Sequence, residues 1–140
     1  MNHSLFTHCV QKAKAIACGE DHTVVLTSEG GVFTFGHGQF GQLGHNTTNN
    51  EVNPKKVFEL MGRTVTQIAA GRRHTITYDQ SCGHILSFGL GANGQLGYLP
   101  SSASGQRANQ LLPVLVQVRL FVIVPVFTIF RLQCQCLSDW

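Results

Sequence analysis

The residues of this 140-residue chain whose types and spacing invite a chemical reading are its glycines, histidines and cysteines. Gly36, Gly38 and Gly41 spell G-x-G-x-x-G after a short β-type run, and Glu59 lies 18 residues beyond Gly41. In that arrangement a dinucleotide-binding turn meets a pyrophosphate with helix amides and an acid takes the ribose. The fingerprint requires a helix to open at the glycines. The chain instead continues with Gln-Leu-Gly and then HNTTNNEVNP, which cannot sustain one. A second copy, Gly89, Gly91 and Gly94, meets no acid until Asp139. These glycines read as structural turns, and no cofactor is expected.

His22 and His74 sit in matching sequence contexts, and a residue recurring at a fixed interval is better explained by architecture than by a single reactive site. Each is expected to be a buried imidazole hydrogen-bonded to backbone. His3, His8, His37, His45 and His84 show no repeated metal-ligand spacing. Neither a Ser-His-Asp nor a Cys-His arrangement can be assembled without choosing residues freely, so catalysis is not expected. Cys9, Cys18, Cys82, Cys134 and Cys136 form an odd set without C-x-x-C spacing. That argues against a disulfide framework or a zinc knuckle and for free thiols in a reducing compartment, the cytoplasm or alternatively the nucleus. The N-terminus lacks the apolar stretch of a secretory signal.

The elements that would position these residues emerge from self-comparison. IACGEDHT at Ile16 to Thr23 recurs as IAAGRRHT at Ile68 to Thr75, matching at five of eight positions with an offset of 52. GHGQFGQLG at Gly36 to Gly44 recurs as GLGANGQLG at Gly89 to Gly97, matching at six of nine with an offset of 53. The extra residue falls in a turn, where length variation is tolerated. A period of about 50 residues with short β-like runs is the signature of propeller blades, each a small sheet that cannot bury both faces alone. With 12% charged and 43% hydrophobic positions, the composition favours turns and uncharged strands over exposed helices.

Within the second copy, Val65 to Ala70 is expected as a first strand and Gly71-Arg72-Arg73 as a turn, its glycine supplying positive φ. His74 to Tyr78 comes next, then a turn at Asp79 to His84, then Ile85 to Phe88. Leu86 and Phe88 share one face of that third strand, as Phe33 and Phe35 do in the first copy, and this face is expected to pack on the neighbouring blade. A fourth strand is expected at Val57 to Leu60, after a polar loop ending at Pro54.

These repeats resemble the regulator of chromosome condensation type. The resemblance rests on Gly19 to Thr23 with His22, on Phe35, Gly36, Gly41, Gln42, Leu43 and Gly44, and on their counterparts Gly71, His74, Phe88, Gly89, Gly94, Gln95, Leu96 and Gly97. The wording FELMGRTVTQIAAGRRHTITY looks most like the propeller of HERC-type ubiquitin ligases. The resemblance implies an all-β, partial β-propeller of about two four-stranded antiparallel blades, where a closed propeller of this type has seven. Expected boundaries are a lead-in at 1–11, blade one at 12–62, blade two at 63–118 and a non-repeat apolar tail at 119–140. No glycine follows Gly105, and where a third copy would place Gly and His the sequence has Phe130 and Gln133. The expectation is therefore a truncated or alternatively spliced product.

The run Leu111 to Leu132 is long enough to cross a bilayer, but Gln117, Arg119 and two prolines interrupt it. Aggregation or pairing with an open blade edge is expected in place of membrane insertion. The formal charge of +3 is scattered, so no nucleic-acid partner is indicated. The resemblance implies a non-catalytic protein-interaction module with protein partners, such as a ubiquitin-pathway component or a small GTPase. Ubiquitin transfer itself would need a HECT domain, for which this sequence has no room. The alternatives are guanine-nucleotide exchange or regulation of a Ran-like GTPase, and a non-functional, unstable fragment.

Overall fold

The computed structural model describes residues 12–97 and 109–116. The lead-in at 1–11 and the tail at 119–140 lie outside them. Among the described residues, eight strands form two four-stranded antiparallel sheets in simple meander order. The first holds β1 (Ala13–Cys18), β2 (His22–Thr27), β3 (Val32–Gly36) and β4 (Glu51–Lys56); the second holds β5 (Val65–Ala70), β6 (His74–Asp79), β7 (His84–Gly89) and β8 (Gln110–Leu115). Over the described residues the architecture is all-β, with two blades.

The repeat extends to the register. Ile16 pairs with Val25 and its counterpart Ile68 with Thr77. The ladder shifts between Ala13 and Ala15, and again between Val65 and Gln67. It shifts between Thr34 and Gly36, and between Ser87 and Gly89. Bulges re-aim a strand at a chosen point, so two sheets bent at matching points can stack as equivalent wedges.

The core lies between the sheets. Val24, Leu26, Val32, Val57 and Leu60 from the first blade meet Val65, Ala70 and Leu86 from the second, with Ala15, Ala17 and Ile68 packed against them. Leu86 and Phe88 do pack on the neighbouring blade: Phe88 is fully buried, and a side chain added at Gly44 would touch its ring. Phe33 and Phe35 present the same face of the first blade and are half-buried. One face of β2, with His22, Val24 and Leu26, is therefore turned toward the second blade, whereas Thr23 and Val25 face away.

Two expectations are corrected. The fourth strand is Glu51–Lys56, and Val57 to Leu60 instead turns inward, with a 3₁₀ turn at Phe58–Leu60. Pro54 reads in the sequence as the end of a loop, but an outer strand needs no N–H on its free side and tolerates proline; Pro113 occupies β8 in the same way. The Val57 amide donates to Val32 O at 2.9 Å, after which Val57 and Leu60 drop into the core while Phe58 stays exposed. The apolar signal was that of an inter-blade anchor. The second correction concerns Gly71, which has no positive φ, nor does Gly19. Glycine is required there because an added Cβ would collide with the ring of His74, or of His22 at Gly19.

Candidate interaction surface

At one end of both sheets the β1–β2 turn (19–21), the β3–β4 loop (37–50), the β5–β6 turn (71–73) and the start of the β7–β8 loop come together. This arises from the meander, since His22 pairs with Gly36 and Gly36 with Glu51, as His74 pairs with Gly89 and Gly89 with Gln110. Each turn is stitched to its long loop: the His37 amide donates to Asp21 O at 2.7 Å and the Leu90 amide to Arg73 O at 2.8 Å.

The repeated glycine segments are built alike. Thr34 Oγ1 donates to Leu43 O and Ser87 Oγ to Leu96 O, both at 2.7 Å. The Phe40 amide donates to Gln42 Oε1 and the Asn93 amide to Gln95 Oε1. Leu43 and Leu96 are each buried. In Gly-Gln-Leu-Gly, then, the glutamine closes a turn, the leucine anchors it, and Gly41 and Gly44 adopt left-handed φ of 83° and 73°. Among the described residues no helix opens after Gly41 or Gly94. The first loop also reaches the second blade, since Thr75 Oγ1 donates to Gln42 O at 2.8 Å and the Asn46 amide to Leu111 O at 2.9 Å.

His22 Nε2 lies 3.0 Å from Thr75 Oγ1. Because the Thr75 hydroxyl gives its proton to Gln42 O, its oxygen accepts, and His22 is held as the Nε2–H tautomer. A side chain of the next blade thus partners the ring, beside the His74 backbone. Burial holds His22 down at about 4, with the nearby His74 adding to the shift, and burial also lowers His74. Both rings are neutral inside the fold.

Outside the junction the surface is charged. Arg72 donates to Glu20 through Nε and Nη2, both at 2.9 Å, and Arg73 Nε donates to the same carboxylate at 3.0 Å. These bonds hold the Glu20 carboxyl below its ordinary range, the Arg72 bond contributing most. Arg73 also lies over the Phe40 ring, 4.9 Å from its centre. The Arg72 side chain remains 70% exposed, so this edge offers a planar guanidinium, a carboxylate and an aromatic ring to solvent. At the outer rim Gly44, His45, Asn46, Lys55, Phe58, Glu59 and Leu112 line a cleft of about 110 Å³. Small-molecule sites are typically about 300–1,000 Å³, so this one suits a single side chain.

At the opposite end, Asp79 gathers hydrogen bonds from the Thr64 and Ser81 amides, Ser81 Oγ, Cys82 Sγ and Arg63 Nη1. Ser81 leads in holding its carboxyl well below the carboxylate range. The sequence offered no sign of this role, because the counterpart in the first copy is Thr27, whose hydroxyl accepts from the Gly31 amide at 3.0 Å. Glu20 was likewise missed: its partners lie one repeat away. Cys18 and Cys82 are free and exposed, and among the described residues no His, Cys, Asp or Glu cluster could hold a metal ion. No helix among the described residues is long and apolar enough to cross a membrane. The beginning of the apolar run Leu111 to Leu132 is the outer strand β8; the rest of it lies outside the described residues.

Two consecutive four-stranded meanders, pinned together through a histidine and a glycine loop that recur in each, define a β-propeller repeat protein. Two overlapping models of the regulator of chromosome condensation (RCC1) repeat match residues 29–78 and 13–42. The probable E3 ubiquitin-protein ligase HERC4 of Rattus norvegicus is 58% identical over 111 residues, 79% of this chain and 10% of that protein. The probable E3 ubiquitin-protein ligase HERC3 of Homo sapiens is 62% identical over 87 residues, 62% of this chain and 8% of that protein. The chain therefore spans about a tenth of the length of the curated relatives it matches. Among solved structures, human WBSCR16 superposes with a TM-score of 0.67 at 25% identity, over 79% of this chain and 26% of that one. Prp20p of Saccharomyces cerevisiae, described with its binding to Gsp1p and histones, superposes at 0.63 and 25%, over 75% and 26%. The chain carries regulator of chromosome condensation repeats over residues 13–78 and is strongly similar to the propeller region of HERC-type ubiquitin ligases.

Proposed function

We propose that the chain is a non-catalytic protein-interaction module of the ubiquitin pathway, working in the cytoplasm. The observation that carries this reading is the division of labour among its polar groups. His22, Thr75, Gln42 and Asp79 are spent on holding turns and blades together, while Glu20, Arg72, Arg73 and Phe40 remain at the solvent-facing loop edge. An exposed guanidinium beside an aromatic ring is the composition of a protein-binding hot spot. The HERC-type relatives support the ubiquitin setting, and the exposed free thiols support a reducing one.

The test compares quantitative affinity capture by the chain and by its Arg72→Ala variant. Exposed ion pairs contribute little to stability, so the variant keeps its thermal midpoint. A partner retained by the wild type and lost by the variant supports the module; identical capture by both sinks it. The Prp20p neighbour, with its binding to Gsp1p, motivates a second assay. Accelerated nucleotide release from a Ran-like GTPase would replace the module by an exchange factor.

A further inference from the structure

We infer that the cleft at the outer rim, where the end of the first blade meets the outer strand of the second, is a receptor for an arginine side chain presented by a protein partner. The cleft shares no lining residue with the Arg72 edge. Both of its walls belong to the two described blades: the β3–β4 loop, β4 and the 3₁₀ turn form one, and Leu112 of β8 the other. The Asn46 amide fastens the walls together by donating to Leu111 O at 2.9 Å.

Charge selects the occupant. Lys55 lines the cleft, but its ammonium is committed to Glu51, to which it donates. Glu59 is exposed and, among the described residues, makes no ion pair. The lining therefore holds one unanswered charge, and that charge is negative. An anionic side chain would be repelled by Glu59 and would find no free cation in the lining, whereas a cationic one is attracted.

The neutral groups narrow the choice. Thr34 Oγ1 gives its proton to Leu43 O at 2.7 Å, so its oxygen accepts from His45 Nε2 at 3.0 Å. His45 Nδ1 is left with a lone pair and, among the described residues, no donor. Burial, and after it the nearby Lys55, keep this ring neutral. Phe58 is 66% exposed beside these acceptors, and an aromatic face attracts a cation. Arg73 over Phe40 is the same pairing within the chain. Leu112 supplies an apolar wall for a methylene stem. A carboxylate, a ring nitrogen acceptor, an aromatic face and an apolar wall together suit a planar cation that donates in several directions from a long stem. Arginine has all of these properties, and lysine lacks the plane.

Amide chemical shifts of the full chain, followed at neutral pH while N-acetylarginine methylamide is added, test this. The signals of Gly44, His45, Asn46 and Leu112 are expected to move saturably in the millimolar range. N-acetylcitrulline methylamide, which has the same shape without the charge, is expected to bind about tenfold more weakly, the equivalent of one hydrogen bond between charged groups. Glu59→Gln, at an exposed side chain, leaves circular dichroism unchanged and abolishes the preference for arginine over citrulline. Lys55→Gln frees Glu51 and tightens arginine binding about twofold. The proposal is overturned if no saturable shift occurs, if the wild type binds arginine and citrulline alike, or if Glu59→Gln keeps the preference. Weaker binding to Lys55→Gln, or tighter binding of N-acetylglutamate methylamide at the same signals, overturns it as well. Arg72→Ala leaves the titration unchanged, so failure here and failure of the partner-capture experiment are told apart.

Discussion

His22 makes the stability of the fold pH-dependent in a window that can be calculated. Its ring ordinarily titrates near 6.5 and burial between the blades lowers it to about 4. Below 6.5 the unfolded chain takes up a proton that the folded chain refuses. Stability that is fully present above 6.5 is therefore lost as pH falls, and the loss levels off near 4. Each unit between the two values is worth about 1.4 kcal/mol, giving about 3 kcal/mol across the window and about 2 kcal/mol between pH 7 and pH 5. His74 and His45, both lowered chiefly by burial, add to the loss with the same sign. The carboxyls of Glu20 and Glu51 ordinarily titrate near 4.5 and are lowered by their cationic partners, so most of their contribution falls below this range. Urea unfolding at pH 7 and pH 5 measures the difference. In His22→Gln an amide nitrogen takes over the donor role to Thr75 without titrating, and the loss between the two pH values shrinks by about 2 kcal/mol. If His22→Gln shows the same pH dependence as the wild type, the buried neutral imidazole is refuted.

Other perturbations address the rest of the fold. Asp79→Ala strands the Thr64 and Ser81 amides and the Arg63 guanidinium, and is expected to cost about 2–4 kcal/mol in urea unfolding. Leu86→Ala removes a core side chain at the blade junction, for a loss of about 2–5 kcal/mol. Gly44→Ala places a methyl 2.9 Å from the Phe88 ring at a φ of 73°; hydrogen exchange should show the β3–β4 loop and β7 loosening together.

Much of the fold was legible because a blade is a local object. Antiparallel neighbours in sequence pair through short turns, so the runs at Val65, His74 and Ile85 suffice to locate β5, β6 and β7. The fourth strand was misplaced for an equally local reason. Val57 and Leu60 are the most apolar residues of their segment, but they serve the space between sheets, whereas Glu51–Lys56 is polar because it is an outer edge with little to bury. Periodicity reports burial, and an edge strand is recognised by its hydrogen bonds.

Repetition in the sequence alone pointed to two equivalent units, to Gly-Gln-Leu-Gly and the Gly-x-x-His turn as structural features, and to turns in place of a helix at the G-x-G-x-x-G spacing. Which group answers which across the junction was decided only by tertiary structure. His22 finds Thr75, Glu20 finds Arg72 and Gly44 finds Phe88, each pair joining one blade to the next, at a distance set by how one twisted sheet stacks on the other. A repeat states that two residues are equivalent. It takes the stacking of blades to make the residues of one the partners of the other.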